Sequence, residues 1–248
     1  MDLTDHVIVV TGASKGIGRD TSILLSQLGA RVILVSRDKK KLEETLTLLD
    51  GENHCVEPFD LGVADEIPSW LKVLSAKYGQ IRGVAHCAGK QAIQTLGIVK
   101  SADIEEIMKI NVTSAIMIAK GFRQKGVHAP NASIVFVSSV TGLVGTAGRS
   151  AYCASKGALN SLARSLALEL VRDGIRVNCV APAFVRTEML QDAQAVLSSD
   201  ELERIRAQHP LGFGDPRDVS HCIAFLLAGT GRWITGSTLV VDGGFTAQ

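Results

Sequence analysis

Short runs of β-branched and other apolar residues recur along the chain, and we interpret them as β-strands. The seven candidates are Val7 to Val10, Arg31 to Ser36, His54 to Phe59, Gly83 to His86, Ser133 to Ser138, Arg176 to Val180 and Thr238 to Val241. Between most of them lie longer stretches with apolar residues at helical spacing, such as Leu159, Leu162, Leu166 and Leu170. This alternation predicts an α/β fold, a seven-stranded parallel sheet with helices on both faces. Because crossovers between parallel strands are right-handed, we expect the doubly wound topology.

The chain of 248 residues shows no internal repeat, low-complexity linker or change of composition that would mark a second domain. We therefore expect one domain over residues 1 to 248. One long segment, from Ala183 to Pro210, fits neither a strand nor a crossover helix. Its apolar residues at helical spacing are Met189, Leu190, Ala193, Val196, Leu197, Leu202 and Ile205. An insertion near the carboxyl ends of the strands is where a lid over a binding site would lie, although the same residues could also pack on the domain.

Composition narrows the function classes. The formal net charge of +1 and the aromatic content of 4% disfavour a nucleic-acid partner. No apolar run approaches the roughly 18 residues that span a bilayer, and the start of the chain lacks a signal-peptide pattern, so we expect no membrane partner and a cytoplasmic protein. The five cysteines form no C-x-x-C pair and the six histidines show no ligand spacing. We therefore expect reduced thiols and no metal site, with a reactive Cys153 as the alternative for one thiol.

A glycine-rich turn follows the first strand and leads directly into a helical pattern. It reads Thr11-Gly12-Ala13-Ser14-Lys15-Gly16-Ile17-Gly18. Glycines allow a tight turn and a close approach of the backbone to a pyrophosphate, and the helix N-terminus offers free N–H groups. In this context the turn predicts a dinucleotide site.

The end of the second strand discriminates between two dinucleotides. A carboxylate there would bind the adenosine ribose and repel a 2′-phosphate. The chain instead has Ser36 and Arg37, and Lys15 adds a second positive charge from the glycine turn. These residues favour NADP(H) over NAD(H). Asp38 is the competing carboxylate, but we expect it to cap the next helix.

A candidate proton-transfer group lies on a later helix. Tyr152 and Lys156 are four residues apart, which places both side chains on one helical face. A nearby ammonium group would lower the pKa of the phenol toward a useful value. Ser138 and Ser139 end the fifth strand candidate, where a hydroxyl could hold a substrate carbonyl. Asn111 is a polar residue in an apolar helix, and we expect it to hold a water molecule or a backbone group.

Together these stretches resemble the short-chain dehydrogenase/reductase family over essentially the whole chain, and most closely its 3-oxoacyl-carrier-protein reductases. The family motifs are matched at Thr11 to Gly18, Asp60, Cys87 to Gly89, Asn111, Ser139, Tyr152 with Lys156, Asn178 to Thr187, and Val241 to Gly244. The family serine stands thirteen residues before the tyrosine, which selects Ser139 over Ser138. The resemblance implies a Rossmann-type domain that acts in fatty acid biosynthesis as a homotetramer and reduces a small-molecule carbonyl compound.

The same resemblance implies the roles of individual residues. Asn111, Ser139, Tyr152 and Lys156 would form the catalytic tetrad, in which Lys156 also holds the nicotinamide ribose and Asn111 organises a relay water. The residues expected to bind the cofactor are Gly12, Ser14, Lys15, Gly16, Ile17, Gly18, Ser36, Arg37, Asp60, Leu61, Ala88, Gly89, Tyr152, Lys156, Pro182, Val185 and Thr187.

The chain departs from the family pattern in three places. His86-Cys87 replaces a usual Asn-Asn pair, which is expected to loosen a structural hydrogen bond, and Ala183 replaces a glycine beside the nicotinamide pocket. The positions where carrier-protein reductases present basic residues read Ala129-Pro130-Asn131 and Arg172-Asp173. Docking to an acidic acyl carrier protein is therefore in doubt. Two alternatives stay open: a dehydrogenase of a sugar, steroid or small diketone on the same scaffold, and a non-catalytic module that senses the dinucleotide.

Overall fold

The computed structural model describes residues 1–91, 93–188, 190 and 199–247. Its sheet has seven parallel strands, as predicted. They are β1 (Val7–Thr11), β2 (Arg31–Ser36), β3 (Cys55–Pro58), β4 (Ile81–His86), β5 (His128–Val137), β6 (Ile175–Pro182) and β7 (Thr238–Val241). The predicted strands lie at these positions, with β2 and β7 matching to the residue and β5 beginning five residues earlier than expected.

Helices connect the strands and cover both faces of the sheet. The described helices are α1 (Gly16–Gln27), α2 (Lys39–Leu46), α3 (Ile67–Tyr78), α4 (Ser101–Met108), α5 (Ser114–Phe122), α6 (Ser150–Leu170), α7 (Ser199–Ala207) and α8 (Pro216–Leu227). A single π-helical turn, Lys109–Thr113, joins α4 to α5, and a short 3-10 turn, Val140–Gly142, follows β5.

The strand order places a crevice at the centre of the sheet. The order is β3-β2-β1-β4-β5-β6-β7, so the chain runs outward from β1 to β3 and then crosses back to place β4 on the other side of β1. This reversal is the topological switch point of doubly wound sheets, and ligands bind there beyond the carboxyl ends of the strands. The predicted fold class is confirmed.

Two apolar cores lie on opposite faces of the sheet because successive strand residues point to opposite sides. Val9 and Ile33 pack with residues of α3, α5 and α6. Their neighbours Ile8 and Val32 pack with residues of α1 and α8 on the other face. Because these strands are buried on both faces, their sequences are continuous apolar runs, which is typical of parallel strands.

The expected lid, Ala183 to Pro210, is only partly described. Leu190 is buried, and α7 occupies the second half of the segment. Met189, Ala193, Val196 and Leu197 lie outside the described residues, so the lid stays a prediction.

Three general observations concern the part of the chain that the structure describes. None of its helices is both long and apolar enough to cross a membrane. It contains no group of three or more His, Cys, Asp or Glu side chains placed to hold a metal ion. All five cysteines are free thiols. Burial raises the pKa of Cys87 and of Cys179 to about 12, so both stay protonated at neutral pH.

Candidate active site

The glycine turn after β1 is built on backbone contacts that only glycine permits. A Cβ atom on Gly18 would lie 2.2 Å from the carbonyl oxygen of Gly12. Gly12 itself has a φ of +68°, and a Cβ there would lie 2.9 Å from the amide nitrogen of Ala88. The turn therefore packs directly on the Ala88-Gly89 loop that follows β4. Among the described residues no side chain caps the N-terminus of α1, which leaves its first N–H groups to a ligand.

A cleft of about 760 Å³ opens over this turn at the carboxyl ends of the strands. Most of the residues predicted to bind the cofactor line it. They are Gly12, Ser14, Lys15, Gly16, Ile17, Gly18, Ser36, Arg37, Asp60, Leu61, Ala88, Gly89 and Thr187. Pro182 instead ends β6, and Val185 is buried beside Gly214. Tyr152 and Lys156 do not line the cleft either: they are buried on α6, with Lys156 behind the lining residue Gly89. Other lining residues were not predicted, among them Lys41, Phe59 and Ile110.

The end of the cleft beside β2 carries positive charge. Arg37, Asp38 and Lys41 line it, and the Lys41 Nζ atom lies 3.9 Å from the Asp38 carboxylate, so Arg37 supplies the remaining positive charge. The Asp38 carboxylate accepts a hydrogen bond from the Lys41 backbone N–H at 3.1 Å and caps α2, as predicted. Because that carboxylate is engaged at the helix terminus, Arg37 is the residue of this strand end best suited to bind a ligand oxyanion.

Tyr152 and Lys156 lie on the buried face of α6. The Lys156 Nζ atom lies 5.5 Å from the centroid of the Tyr152 ring and donates a hydrogen bond to the Val137 carbonyl at 2.8 Å. A Cβ on Gly89 would lie 3.3 Å from this Nζ, so the lysine reaches the loop that forms the cleft floor. Burial lowers the pKa of Lys156 to about 8, which leaves the ammonium only partly protonated in mildly basic solution.

The pKa of Tyr152 differs from the expectation. Burial raises it to about 12, and the opposing effects come from the charge of Arg149 and a hydrogen bond with Ser139. From the motif spacing, that lowering was expected from Lys156. The buried Lys156 ammonium, whose own pKa is lowered to about 8, loses its charge in basic solution, whereas a guanidinium stays protonated. Arg149 is thus a neighbour of the phenol that motif spacing did not reveal.

The two serines after β5 have different tasks. Ser139 caps the 3-10 turn, and its Oγ accepts hydrogen bonds from the Thr141 backbone N–H and hydroxyl at 3.2 and 3.1 Å. Its own proton is therefore available to Tyr152 or to a ligand. Ser138 donates to the Lys156 carbonyl at 2.9 Å and ties β5 to α6.

Asn111 lies in the π-helical turn and is fully buried. Its amide donates to the Lys90 carbonyl and accepts from the Lys90 N–H, at 2.9 and 2.7 Å. The same amide donates to Ser155 Oγ on α6 at 2.9 Å. Of the two partners predicted for it, a water or a backbone group, the structure shows the backbone group.

His86, which stands where the family pattern has asparagine, makes two hydrogen bonds within the fold. Its Nδ1 lies 2.9 Å from Thr11 Oγ1 and its Nε2 lies 3.3 Å from Ser114 Oγ. Ser114 donates its proton to the Ile110 carbonyl at 2.6 Å, so Nε2 must be the donor toward Ser114. Nδ1 then accepts from Thr11, whose oxygen in turn accepts from the Ala88 N–H at 3.2 Å. One neutral tautomer thus connects β1, the cleft loop and the π-helical turn.

Comparisons with known proteins agree with this geometry. Residues 12–246 match the family model described as enoyl-(acyl carrier protein) reductase. The chain is 35% identical over 241 residues to the mouse (Mus musculus) 3-oxoacyl-(acyl-carrier-protein) reductase, covering 97% of this chain and 98% of that protein. It is 33% identical over 247 residues to the reductase FabG of Thermotoga maritima, covering 98% and 99%.

Solved structures show the same relationship. A putative short-chain alcohol dehydrogenase from Sinorhizobium meliloti superposes with a TM-score of 0.94 at 29% identity, over 100% of this chain and 98% of that one. The ligand-free aldohexose dehydrogenase of Thermoplasma acidophilum gives 0.87 at 26% identity, over 99% and 96%.

The chain belongs to the short-chain dehydrogenase/reductase family of oxidoreductases. Within that family it is close to the 3-oxoacyl-(acyl-carrier-protein) reductases. Family members use nicotinamide dinucleotides, and the cleft fits such a group: the glycine turn lines it, and the N-terminus of α1, which no described side chain caps, can offer backbone N–H groups to a pyrophosphate.

Proposed function

We propose that the protein is an NADPH-dependent reductase that converts a ketone, a 3-oxoacyl thioester or a related compound, to a secondary alcohol. The observation that carries the proposal is the buried Tyr152 and Lys156 pair, which lies next to Ser139 and directly behind Gly89, a residue that lines the cleft. Arg37 lies at the other end. The reaction is reversible on the same residues.

Each residue of the site has one task in this reaction. A bound reduced nicotinamide supplies the hydride. The Ser139 hydroxyl donates a hydrogen bond to the substrate carbonyl oxygen and polarises it. Tyr152, whose raised pKa of about 12 keeps the phenol protonated at neutral pH, then donates its proton to that oxygen. Lys156 is held toward the cleft by the Val137 carbonyl, and Asn111 fixes the backbone of Lys90 beside it.

Replacing Tyr152 by phenylalanine tests the proton donor. The variant keeps the ring and loses the hydroxyl, so we expect the rate of NADPH consumption on a reducible ketone to fall by about 10²- to 10⁴-fold. NADPH binding, followed by fluorescence titration, should stay within a few-fold of the parent. Turnover close to that of the parent would contradict the assignment. NADPH binding by the parent without turnover on acyl thioesters, sugars and diketones would favour a dinucleotide sensor.

Removing the charge of Arg37 tests the cofactor preference. A charge-assisted hydrogen bond contributes about 1.5 to 3 kcal/mol, so Arg37→Ala should weaken NADPH binding by about 10- to 100-fold and leave NADH binding nearly unchanged. Lys40→Ala is a matched control, because this exposed cation lies on the same chain segment but does not line the cleft. Equal affinities of the parent for NADPH and NADH would contradict the proposal.

A second candidate is a dehydrogenase of a sugar, which the similarity to the aldohexose dehydrogenase favours. A steroid or a small diketone stays an alternative of the same kind. The surface at the end of α6 does not favour a carrier-bound substrate: the Asp173 carboxylate pairs with Arg123 at 3.5 Å, which offsets one of the positive charges that an acidic carrier would need. Fatty acid biosynthesis, the homotetramer and the cytoplasmic location expected from the resemblance stay predictions. Light scattering on the purified protein tests the assembly.

A further inference from the structure

Arg149 stands immediately before α6, three residues before Tyr152, and nothing in the stability of the helix accounts for it. It is the N-cap residue, its side chain does not cap the helix, and the first turn contains no acidic residue. A cation at a helix N-terminus opposes the macrodipole and so does not stabilise the helix. The position of Arg149 is therefore better explained by a contact outside the helix.

The guanidinium group of Arg149 has a fixed place but no oxyanion partner. Among the described residues no carboxylate lies within 4.0 Å of its nitrogen atoms, and no hydrogen bond to it is formed. Its Cζ atom instead lies 5.4 Å from the centroid of the Phe184 ring. A planar guanidinium beside an aromatic ring, with N–H donors that no hydrogen bond to the described residues uses, can bind a planar oxyanion.

Phe184 is itself held firmly. Its ring stacks on Phe213 at 5.7 Å and meets the His209 ring edge to face at 5.5 Å. His209 is buried, and its Nδ1 lies 2.7 Å from the Ile205 carbonyl. The aromatic support under Arg149 is thus part of the packed structure, so little conformational entropy is lost when the guanidinium binds a ligand.

Phe184 and Tyr152 place Arg149 beside the reacting centre. Phe184 follows the carboxyl end of β6 by two residues, and residues three apart at a helix start have Cβ atoms about 5 to 6 Å apart. The positive charge is also near enough to lower the pKa of Tyr152. A ketone whose oxygen meets Ser139 and Tyr152 would therefore extend toward the guanidinium.

From this geometry we infer that Arg149 binds an oxyanion of the substrate, a carboxylate or phosphate group a few bonds from the reacting carbonyl. The inference rests on the proposed reductase function and names its substrate class: an anionic oxo acid or oxo phosphate rather than an uncharged acyl chain. Planar bidentate pairing with a carboxylate is the geometry that a guanidinium fits best.

The test compares anionic probes with neutral partners of the same carbon skeleton. The pairs are acetoacetate with methyl acetoacetate, levulinate with methyl levulinate, and dihydroxyacetone phosphate with dihydroxyacetone. For each pair the ratio of kcat/KM, anion over neutral compound, is measured with NADPH for the parent and for Arg149→Gln. Any effect of Arg149 on the Tyr152 pKa acts on both members of a pair and cancels in the ratio. We expect the ratio for one anionic class to fall by about 10- to 100-fold in Arg149→Gln.

Two further variants sharpen the result. Arg164→Gln removes the same charge from an exposed position on the same helix and should leave every ratio unchanged. Arg149→Lys keeps the charge without the bidentate fork, so its ratio for the carboxylate pairs should lie between those of the parent and Arg149→Gln. The carboxylate and phosphate pairs together identify which oxyanion is bound.

Binding without turnover separates this inference from the proposed function. The shift in melting temperature caused by each anionic probe is measured on the NADP⁺ complex of the parent and of Arg149→Gln. A probe that stabilises the parent and not the variant supports the oxyanion site even if no ketone is reduced. The inference would be overturned if the anion-to-neutral ratio of kcat/KM were the same in the parent and in Arg149→Gln, or if each anionic probe shifted the melting temperature of both proteins equally. Turnover of neutral ketones would still support the reductase function.

Discussion

The buried imidazole of His86 predicts how much folding stability the protein loses in acid. The imidazole is fully buried, and burial together with the charge of Lys156 lowers its pKa from 6.5 to about 3. In the unfolded chain the same ring titrates at its ordinary pKa near 6.5. Between these two values the unfolded state binds a proton that the folded state does not. The contribution of neutral His86 to folding stability is therefore fully present above about pH 6.5 and decreases as the pH falls toward 3.

The size of the effect follows from the two pKa values. Each pH unit in that window changes the free energy of unfolding by up to about 1.36 kcal/mol. From about pH 7 to pH 5 the expected loss is about 2 kcal/mol, because the first half-unit lies above the pKa of the unfolded ring. Lys156, with its pKa of about 8, stays protonated in both states over this range and adds little slope.

The assay compares the wild-type protein with His86→Asn, which cannot titrate. Urea unfolding is followed by tryptophan fluorescence at pH 7 and pH 5, at one fixed protein concentration so that any assembly contributes equally. The wild-type protein should lose about 2 kcal/mol more than the variant between the two pH values. His86→Gln, also unable to titrate but different in shape, should behave as His86→Asn does. Equal losses in all three proteins, within about 0.5 kcal/mol, would refute the buried neutral imidazole.

Two other changes have direct structural consequences. Gly18→Ala would force its Cβ against the Gly12 carbonyl, so NADPH affinity measured by fluorescence titration should fall at least about tenfold. The control Gly97→Ala, whose Cβ would meet open space, should bind NADPH as the parent does. An affinity of Gly18→Ala equal to that of the parent would contradict the packing. Lys156→Met removes a buried ammonium whose pKa is lowered from 10.5 to about 8, so at pH 7 the unliganded variant should be more stable than the parent by about 1 to 3 kcal/mol in urea unfolding. The stability difference between variant and parent should shrink as the pH rises above 8, because Lys156 of the folded parent then loses its proton. A difference that stays constant up to pH 10 would contradict the lowered pKa of Lys156.

The arrangement of strands was predictable because their signal is local. Runs such as Arg31 to Ser36 are apolar at successive positions, as a strand buried on both faces requires, and this strand matches to the residue. The start of β5 escaped prediction because Pro130 and Asn131 lie in its exposed first part, and Asn131 has a φ of +53°. Neither residue belongs to the usual strand composition.

The cleft was also predictable, since the glycine turn and the end of β2 carry their chemistry in adjacent residues. The electrostatics of the reacting group were not. The Tyr152 pKa depends on burial and on the side-chain direction of Arg149, neither of which the four-residue spacing to Lys156 specifies. His86 was unpredictable for a similar reason: its partners Thr11 and Ser114 are distant in the sequence, so its role became visible only in three dimensions.

The π-helical turn between α4 and α5 sets a rule for protein engineering. Such a turn holds one residue more than the α-helix would need over the same path. Deleting Lys109 or Ile110, the two residues of the turn that precede Asn111, would let both helices merge into a continuous α-helix. Each residue of an α-helix turns by about 100°, so the deletion would swing the amide of Asn111 away from Lys90 and Ser155. A shortened variant of this kind would fold and still lose its site, and a graft of this helix must transfer the extra residue along with the asparagine.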